Sequence, residues 1–204
     1  RIVSVNDTAI AGVKMSREEI MHRLRGKKGS HVDLGVVRRE ISDTLHFDVV
    51  RDKIPVNSVD AAYMVTPRIG LIRFNNFAQT THAEVVEAIK KLRAQGMVDL
   101  IIDLQQNGGG YLQAAADIAS EFLAKNDMIV YTRGRSVPNQ EFRSSGSGLF
   151  TQGKVAVLVD EYSASAAEIL SGAIQDQDRG IVVGRRTFGK GLVQRPIELP
   201  DGSM

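Results

Sequence analysis

From residue 69 to residue 183, apolar residues switch repeatedly between two periods, and that alternation restricts the fold more than any other feature. Residues 69–74, 98–104, 128–132, 155–159 and 181–183 are short apolar or alternating runs, as strands are. Between them, Val85, Ala88, Ile89 and Leu92 recur at helical spacing, and so do Leu112, Ala115, Ala116, Ala119, Phe122 and Leu123. Thr81 with Glu84 reads as the capping box of the first helix and Gly96 as its stop, and a further helix is expected over 165–175. Strand–helix–strand units of this kind predict an α/β layer with a largely parallel sheet. Residues 133–150, rich in glycine and serine, read as a polar loop.

The first fifty residues follow another plan: strand, helix, strand, strand. Ser16 and Glu19 form a capping box, Ile20, Met21 and Leu24 give the helix its apolar side, and Gly26 ends it. Val32, Leu34 and Val36 alternate as one half-buried strand, and Leu45, Phe47 and Val49 as another. Residues 52–67, with Pro55 and Pro67 and little periodicity, read as a connector between two domains. Arg1 opens inside a strand-like run and residues 199–202 read as a turn without a returning strand, so the chain is expected to continue at both ends.

Composition closes off several functions. Hydrophobic residues at 43% and charged residues at 25% fit a folded domain, not a disordered tail. There is no cysteine for a disulfide or thiolate scaffold, and apolar runs stay far below the ~18 residues that span a bilayer. A formal charge of +2, without a basic stripe, argues against nucleic-acid binding.

In an α/β sheet, ligands and reacting groups gather at loops leaving the C-terminal ends of strands. Three such loops stand out. The first, Asp103-Leu104-Gln105-Gln106-Asn107-Gly108-Gly109-Gly110, lets backbone N–H groups approach a negative charge, although a tight strand-to-helix turn would use the same glycines. It is not a dinucleotide fingerprint, because Gln113 stands where a third small residue is needed. The second, Tyr162 to Glu168, contains Ser165 and Glu168 at capping-box spacing. Beyond a helix cap, Ser165 can serve as a nucleophile whose oxyanion meets the N–H of Ala166 at the helix start. The third, Gly184 to Gly191, nearly spells a phosphate-binding loop. Gly191 replaces its hydroxyl residue, and Pro196 stands where its helix would run.

A nucleophilic serine needs a base. The four histidines, His22, His31, His46 and His82, all precede these loops and read as surface residues. Metal-ligand spacing is also missing, with Asp176 and Asp178 reading as helix-end and turn residues. Lys190 remains as the base of a serine–lysine dyad.

These residues resemble the C-terminal processing (tail-specific) serine peptidases over nearly the whole chain. Ser163-Ala164-Ser165-Ala166-Ala167-Glu168-Ile169 is similar to that family's S-A-S-A-S-E-I. Thr187-Phe188-Gly189-Lys190-Gly191-Leu192-Val193-Gln194 is similar to its T-F-G-K-G-x-V-Q, 25 residues on from serine to lysine. Asp103 to Gly110 resembles D-L-R-x-N-x-G-G, and Asp176 falls on a structural aspartate of the family.

The resemblance implies a ClpP/crotonase-like α/β peptidase core of β-β-α layers, preceded by a partial PDZ domain of α+β type. Residues 1–52 would be the C-terminal part of the PDZ domain, 53–68 a linker and 69–204 the core, truncated at its C-terminal end. The implied activity is that of a serine endopeptidase cutting proteins near or from their C-terminal tails through an acyl-enzyme. Ser165 would attack, Lys190 take its proton, Gln194 hold the lysine, and the N–H groups of Gly109 and Ala166 form the oxyanion hole. Because residues four apart in a strand lie ~13 Å away from each other, a bend near Gly191 is expected. Phe188 and the flanking glycines read as a shield that keeps water from the amine. No cofactor or metal is implied. Partners would be protein or peptide substrates recognised by their C-termini, with a homo-oligomer compatible and nucleic acid not expected. The implied location is the bacterial cell envelope, periplasmic or exported.

Gln105 departs from the family's arginine, Ala167 replaces its third serine, and the PDZ part lacks the first strand and carboxylate-binding loop. Two other readings compete: a catalytically inactive PDZ/peptidase-like binding scaffold, which Gln105 favours, and an acyl-CoA hydratase-like enzyme, which has no use for Lys190 beside a serine.

Overall fold

The two patterns of apolar spacing fold as two units, Arg1–Val56 and Asn57–Met204. The computed structural model describes residues 1–52, 57–135, 137–194 and 197–203; the expected linker's residues 53–56 and Pro196 lie outside them.

The first unit is an antiparallel sheet of β1 (Ile2–Val5), β2 (Thr8–Ala9), β3 (His31–Val36) and β4 (Leu45–Val50), in the order β2-β1-β3-β4, with one helix, α1 (Arg17–Leu24). The capping box forms: Glu19 accepts the Ser16 N–H at 3.0 Å, and Ser16 Oγ accepts the Glu19 N–H at 3.2 Å. Among the described residues its buried apolar side chains are few, Val5 and Val32, and α1 buries none. Polar bonds do much of the joining instead. The Arg51 guanidinium donates to the carbonyls of Leu24 (2.8 Å), Arg23 (2.9 Å) and His31 (2.7 Å), tying the helix end to the sheet.

The second unit runs β5 (Val59–Met64), β6 (Ile69–Phe74), α2 (Thr81–Ala94), β7 (Asp99–Asp103), α3 (Leu112–Ser120), β8 (Met128–Thr132), β9 (Gln140–Arg143), β10 (Val155–Val159), α4 (Ala166–Asp176) and β11 (Ile181–Gly184). Its sheet has the order β11-β10-β7-β6-β5, parallel except for β5. Strand alternation sends Ile72, Phe74, Leu100, Ile102, Val157 and Val159 into one buried core with Ile89, Leu92, Ile118, Leu170 and Ile174 of the helices. Burying each such side chain is worth roughly 1.5–3 kcal/mol, which is why the period-two and period-3.6 patterns override weaker local preferences. Among the described residues, no helix is long and apolar enough to cross a membrane.

Three sequence expectations need correction. Residues 59–64, assigned to the linker, form β5, an edge strand whose register shift between Val59 and Ala61 breaks the period of two, so that Val59, Ala62 and Met64 are the residues packed on the core. Thr81 and Glu84 do not make a capping box. Thr81 Oγ1 instead accepts the Ala78 N–H (2.8 Å), and one Glu84 oxygen accepts the N–H groups of Ser58 (2.7 Å) and Val59 (3.0 Å), which pins α2 to the start of β5. The loop 133–150 contains β9, which pairs antiparallel with β8. Its tetrad Gln140-Glu141-Phe142-Arg143 holds one apolar residue, too few to announce a strand.

The register decides where the site lies. β7, β10 and β11 are adjacent and parallel, with Leu158 opposite Asp103 and Val159 opposite Gly184. The glycine, serine and lysine loops therefore leave the same end of the sheet side by side.

Candidate active site

The loop after β7 is fixed from within. Asn107, fully buried, donates from Nδ2 to the Phe74 carbonyl (2.8 Å), while its Oδ1 accepts the Gly109 N–H (2.9 Å). Its own carbonyl accepts the Ala164 N–H at 3.0 Å, which ties this loop to the serine loop. Gly109 has φ +94°, and a Cβ there would lie 2.6 Å from the Ala164 carbonyl oxygen, 2.8 Å from Ser165 Cβ and 2.9 Å from Ala166 N. Only glycine permits this approach. The Gly109 N–H, expected to serve an oxyanion, is thus bonded to Asn107 Oδ1 in this structure.

The loop after β10 is held by Asp160 and Ser163. One Asp160 oxygen accepts the N–H groups of Gln106 (2.9 Å), Tyr162 (3.0 Å) and Ser163 (3.1 Å). Ser163 Oγ, buried, accepts the Asp160 N–H (2.9 Å) and donates to the Leu104 carbonyl (2.8 Å). Its bonding capacity is spent on structure, which separates it from Ser165, half-exposed two residues on. Burial opposes ionisation of Asp160, but the three N–H groups and the Ser163 hydroxyl outweigh it and hold the carboxyl below its usual range. A carboxylate with a lowered folded value contributes its stability above the unfolded value of about 3.9 and loses it as pH falls through the folded value. Urea denaturation across that acidic range is expected to show a smaller loss of stability on acidification in Asp160→Asn than in the parent. Equal pH dependence would contradict this.

Ser165 stands at φ +57°, ψ −114°, immediately before α4. A non-glycine residue there stores roughly 1–3 kcal/mol of strain, and a serine at a sharp strand-to-helix turn is exposed for attack. The Ala166 N–H has no acceptor among the described residues and lies in the first turn of α4, where the helix dipole favours negative charge.

The loop after β11 bends at Gly189 (φ +87°), with the Gly191 N–H donating to the Gly189 carbonyl at 3.2 Å. Further along the same turn, Lys190 Nζ donates to Gln194 Oε1 at 2.9 Å. Lys190 is half-buried, and Phe188, expected to shield it, is 68% exposed, with its N–H bonded to the Ser163 carbonyl at 3.0 Å. Ser165, Lys190 and the apolar Ile129, Tyr131, Ile169 and Ala173 line one groove of 510 Å³. No hydrogen bond joins Ser165 Oγ to Lys190 Nζ among the described residues.

Glu168 is the residue that sequence reasoning undervalued. Besides the Ser165 N–H (2.8 Å), its carboxylate accepts Thr187 Oγ1 (2.8 Å) and the N–H groups of Gly189 (2.7 Å) and Lys190 (2.9 Å). The capping-box spacing signalled the first bond; nothing local could signal the other three. At Gln105, where the resemblance has arginine, the side chain is exposed, and the cation nearest Asp103 is Arg73 of β6, at 3.8 Å. His31, His46 and His82 each pair with a carboxylate, Asp48, Asp33 and Glu121.

A parallel α/β sheet that offers a strained serine at a helix start, next to an amide-held lysine, has the layout of a serine-type peptidase core. Residues 68–204 match Peptidase family S41, and the chain belongs to that family. It is 39% identical over 188 residues to a carboxyl-terminal-processing protease of Picosynechococcus sp., covering 91% of this chain and 45% of the relative. It is 38% identical over 202 residues to the protein of the same name from Synechocystis sp., covering 96% and 47%. Among solved structures, the photosystem II D1 C-terminal processing protease matches with a TM-score of 0.65 and 29% identity, over 98% of this chain and 55% of that one. The chain spans about half the length of the curated relatives it matches.

Proposed function

We propose that the protein is a serine endopeptidase that cleaves protein substrates near or from their C-terminal tails. The observation that carries this reading is the left-handed Ser165 at the start of α4, sharing one groove with the Gln194-bound Lys190. Neutral Lys190 takes the Ser165 proton as Oγ adds to the substrate carbonyl carbon. The oxyanion forms against the Ala166 N–H, and Gly109 contributes a second donor by exchanging Asn107 Oδ1 for it. Lys190 then passes the proton to the amine nitrogen as the C–N bond breaks, leaving an ester on Ser165. Water adds to that ester and gives its proton to Lys190, which returns it to Ser165 Oγ as the acid product leaves. Gln194 keeps the amine aimed at Ser165 throughout.

Residues 1–52 are the C-terminal part of a PDZ domain in this reading, joined to the peptidase core by a connection that ends where β5 begins. An antiparallel sheet with a single helix supports that assignment, as do relatives that match well ahead of residue 68. Recognition of substrate C-termini and an exported or envelope location follow from the family likeness.

Steady-state kinetics on Lys190→Met test the base. Its loss is expected to cost ~10²–10⁴-fold in kcat. Full activity in the variant would remove lysine from the mechanism.

A further inference from the structure

We propose that Glu168 is a positioning residue of this site, a carboxylate clamp that holds the 187–190 loop in register with Ser165. The inference rests on the serine–lysine reading above and adds to it the part that brings the two halves together.

Ser165 and Lys190 belong to loops that leave different strands, β10 and β11. Something must fix their separation to a fraction of an ångström for proton transfer to work. The lysine loop has little of its own to do so: residues 185–194 form no helix or strand, and Phe188 and Leu192 are 68% and 75% exposed. Apolar packing therefore does not anchor this segment. Glu168 does, and symmetrically. Oε1 accepts Thr187 Oγ1 and the Gly189 N–H, while Oε2 accepts the N–H groups of Ser165 and Lys190. One oxygen thus bridges the backbone of the nucleophile directly to the backbone of the base.

A helix cap needs only one of these bonds. The other three come from residues 19 to 22 positions further along the chain and add nothing to the helix. Bonds of N–H and O–H donors to a carboxylate are about twice as strong as neutral ones, which suits a clamp on a segment without a core. Burial works against ionisation of Glu168, but the Thr187 hydroxyl and the N–H groups of Ser165, Gly189 and Lys190 outweigh it and hold the carboxyl below its usual range. The chemistry is specific to glutamate. A glutamine would present two N–H donors where two donors already point, and an aspartate is one methylene too short to span both loops.

The test is a double-mutant cycle of Glu168→Gln with Lys190→Ala, combined with amide hydrogen exchange. In the parent background, Glu168→Gln is expected to lower kcat about 10²-fold with KM changed less than about twofold, because misplacement by ~1 Å costs on that order. In the Lys190→Ala background, the same change is expected to cost less than about threefold, since the clamp then has no base to position. The amides of Gly189 and Lys190 are expected to lose protection in Glu168→Gln while β7 and β10 keep theirs. Thr187→Val, which removes one donor and leaves the carboxylate in place, is expected to give a smaller kcat loss of several-fold, and it replaces Glu168→Gln should that chain fail to fold. Unchanged kcat with unchanged exchange at 189–190 would overturn the proposal. Equal losses in both backgrounds, with protection lost across α4 and β10, would overturn it too by reducing Glu168 to a general fold role. If Lys190→Ala retains full activity, the dyad reading fails, and exchange at 189–190 alone then decides the clamp.

Discussion

Replacing Ser165 by glycine is expected to yield a chain that is more stable and inactive. The gain comes from the backbone. At φ +57°, ψ −114°, a serine stores strain that glycine, lacking Cβ, does not, and the expected relief is about 1–2 kcal/mol in urea denaturation. Part is returned because glycine has more freedom to lose on folding. The loss of activity comes from the hydroxyl, which in the proposed mechanism forms the acyl-enzyme; removing a nucleophile that works as a unit with its base costs on the order of 10⁶-fold. Ser165→Ala separates the two effects, since it keeps the strain and removes only the oxygen. Its stability is expected to match that of the parent within about 0.5 kcal/mol. A Ser165→Gly chain that is less stable than Ser165→Ala would mean that this backbone geometry is not under strain.

Gly109→Ala is the second large effect, and it works in the opposite direction on stability. The added methyl meets the Ala164 carbonyl oxygen at 2.6 Å and Ser165 Cβ at 2.8 Å, contacts that backbone and a β-carbon cannot yield to cheaply. The φ of +94° adds a penalty of its own for any residue with a Cβ. The expected outcome is destabilisation by about 2–4 kcal/mol, in the range of overpacking plus backbone strain, with kcat down about 10²-fold or more as the serine turn is pushed off its geometry. Gly108→Ala, whose Cβ would meet nothing within 4 Å, is the control and is expected to change little. If the two variants behave alike, the glycine loop does not abut Ser165 in solution.

How much of this was legible beforehand depends on whether the signal is local. The parallel strands and the helices were readable because Ile72, Phe74, Leu100 and Ile102, or Leu170 and Ile174, repeat at the period of their own element. β5 and β9 escaped because an edge strand and a polar hairpin arm need no apolar period. The three loops were readable from their glycines and serines, and strand order put them together. The internal wiring was not. Asn107 takes the Gly109 N–H, and Ser163 spends its hydroxyl on Leu104, through bonds to backbone groups that any sequence possesses. Glu168 announced its cap three residues away and could not announce three donors 19 to 22 residues on. Phe188 looked like a shield because it is aromatic, but it is 68% exposed, and the bond to the serine loop comes from its N–H.

Mass spectrometry of an unstructured protein with an apolar C-terminus, incubated with the parent, Ser165→Ala and Lys190→Ala side by side, tests the central claim most directly. The account predicts truncated products from the parent alone, their masses giving the sites of cleavage near the tail. Products of equal yield from Ser165→Ala, or binding of the tail by all three with no cleavage by any, would contradict it; the latter would leave a peptide-binding scaffold in place of a peptidase.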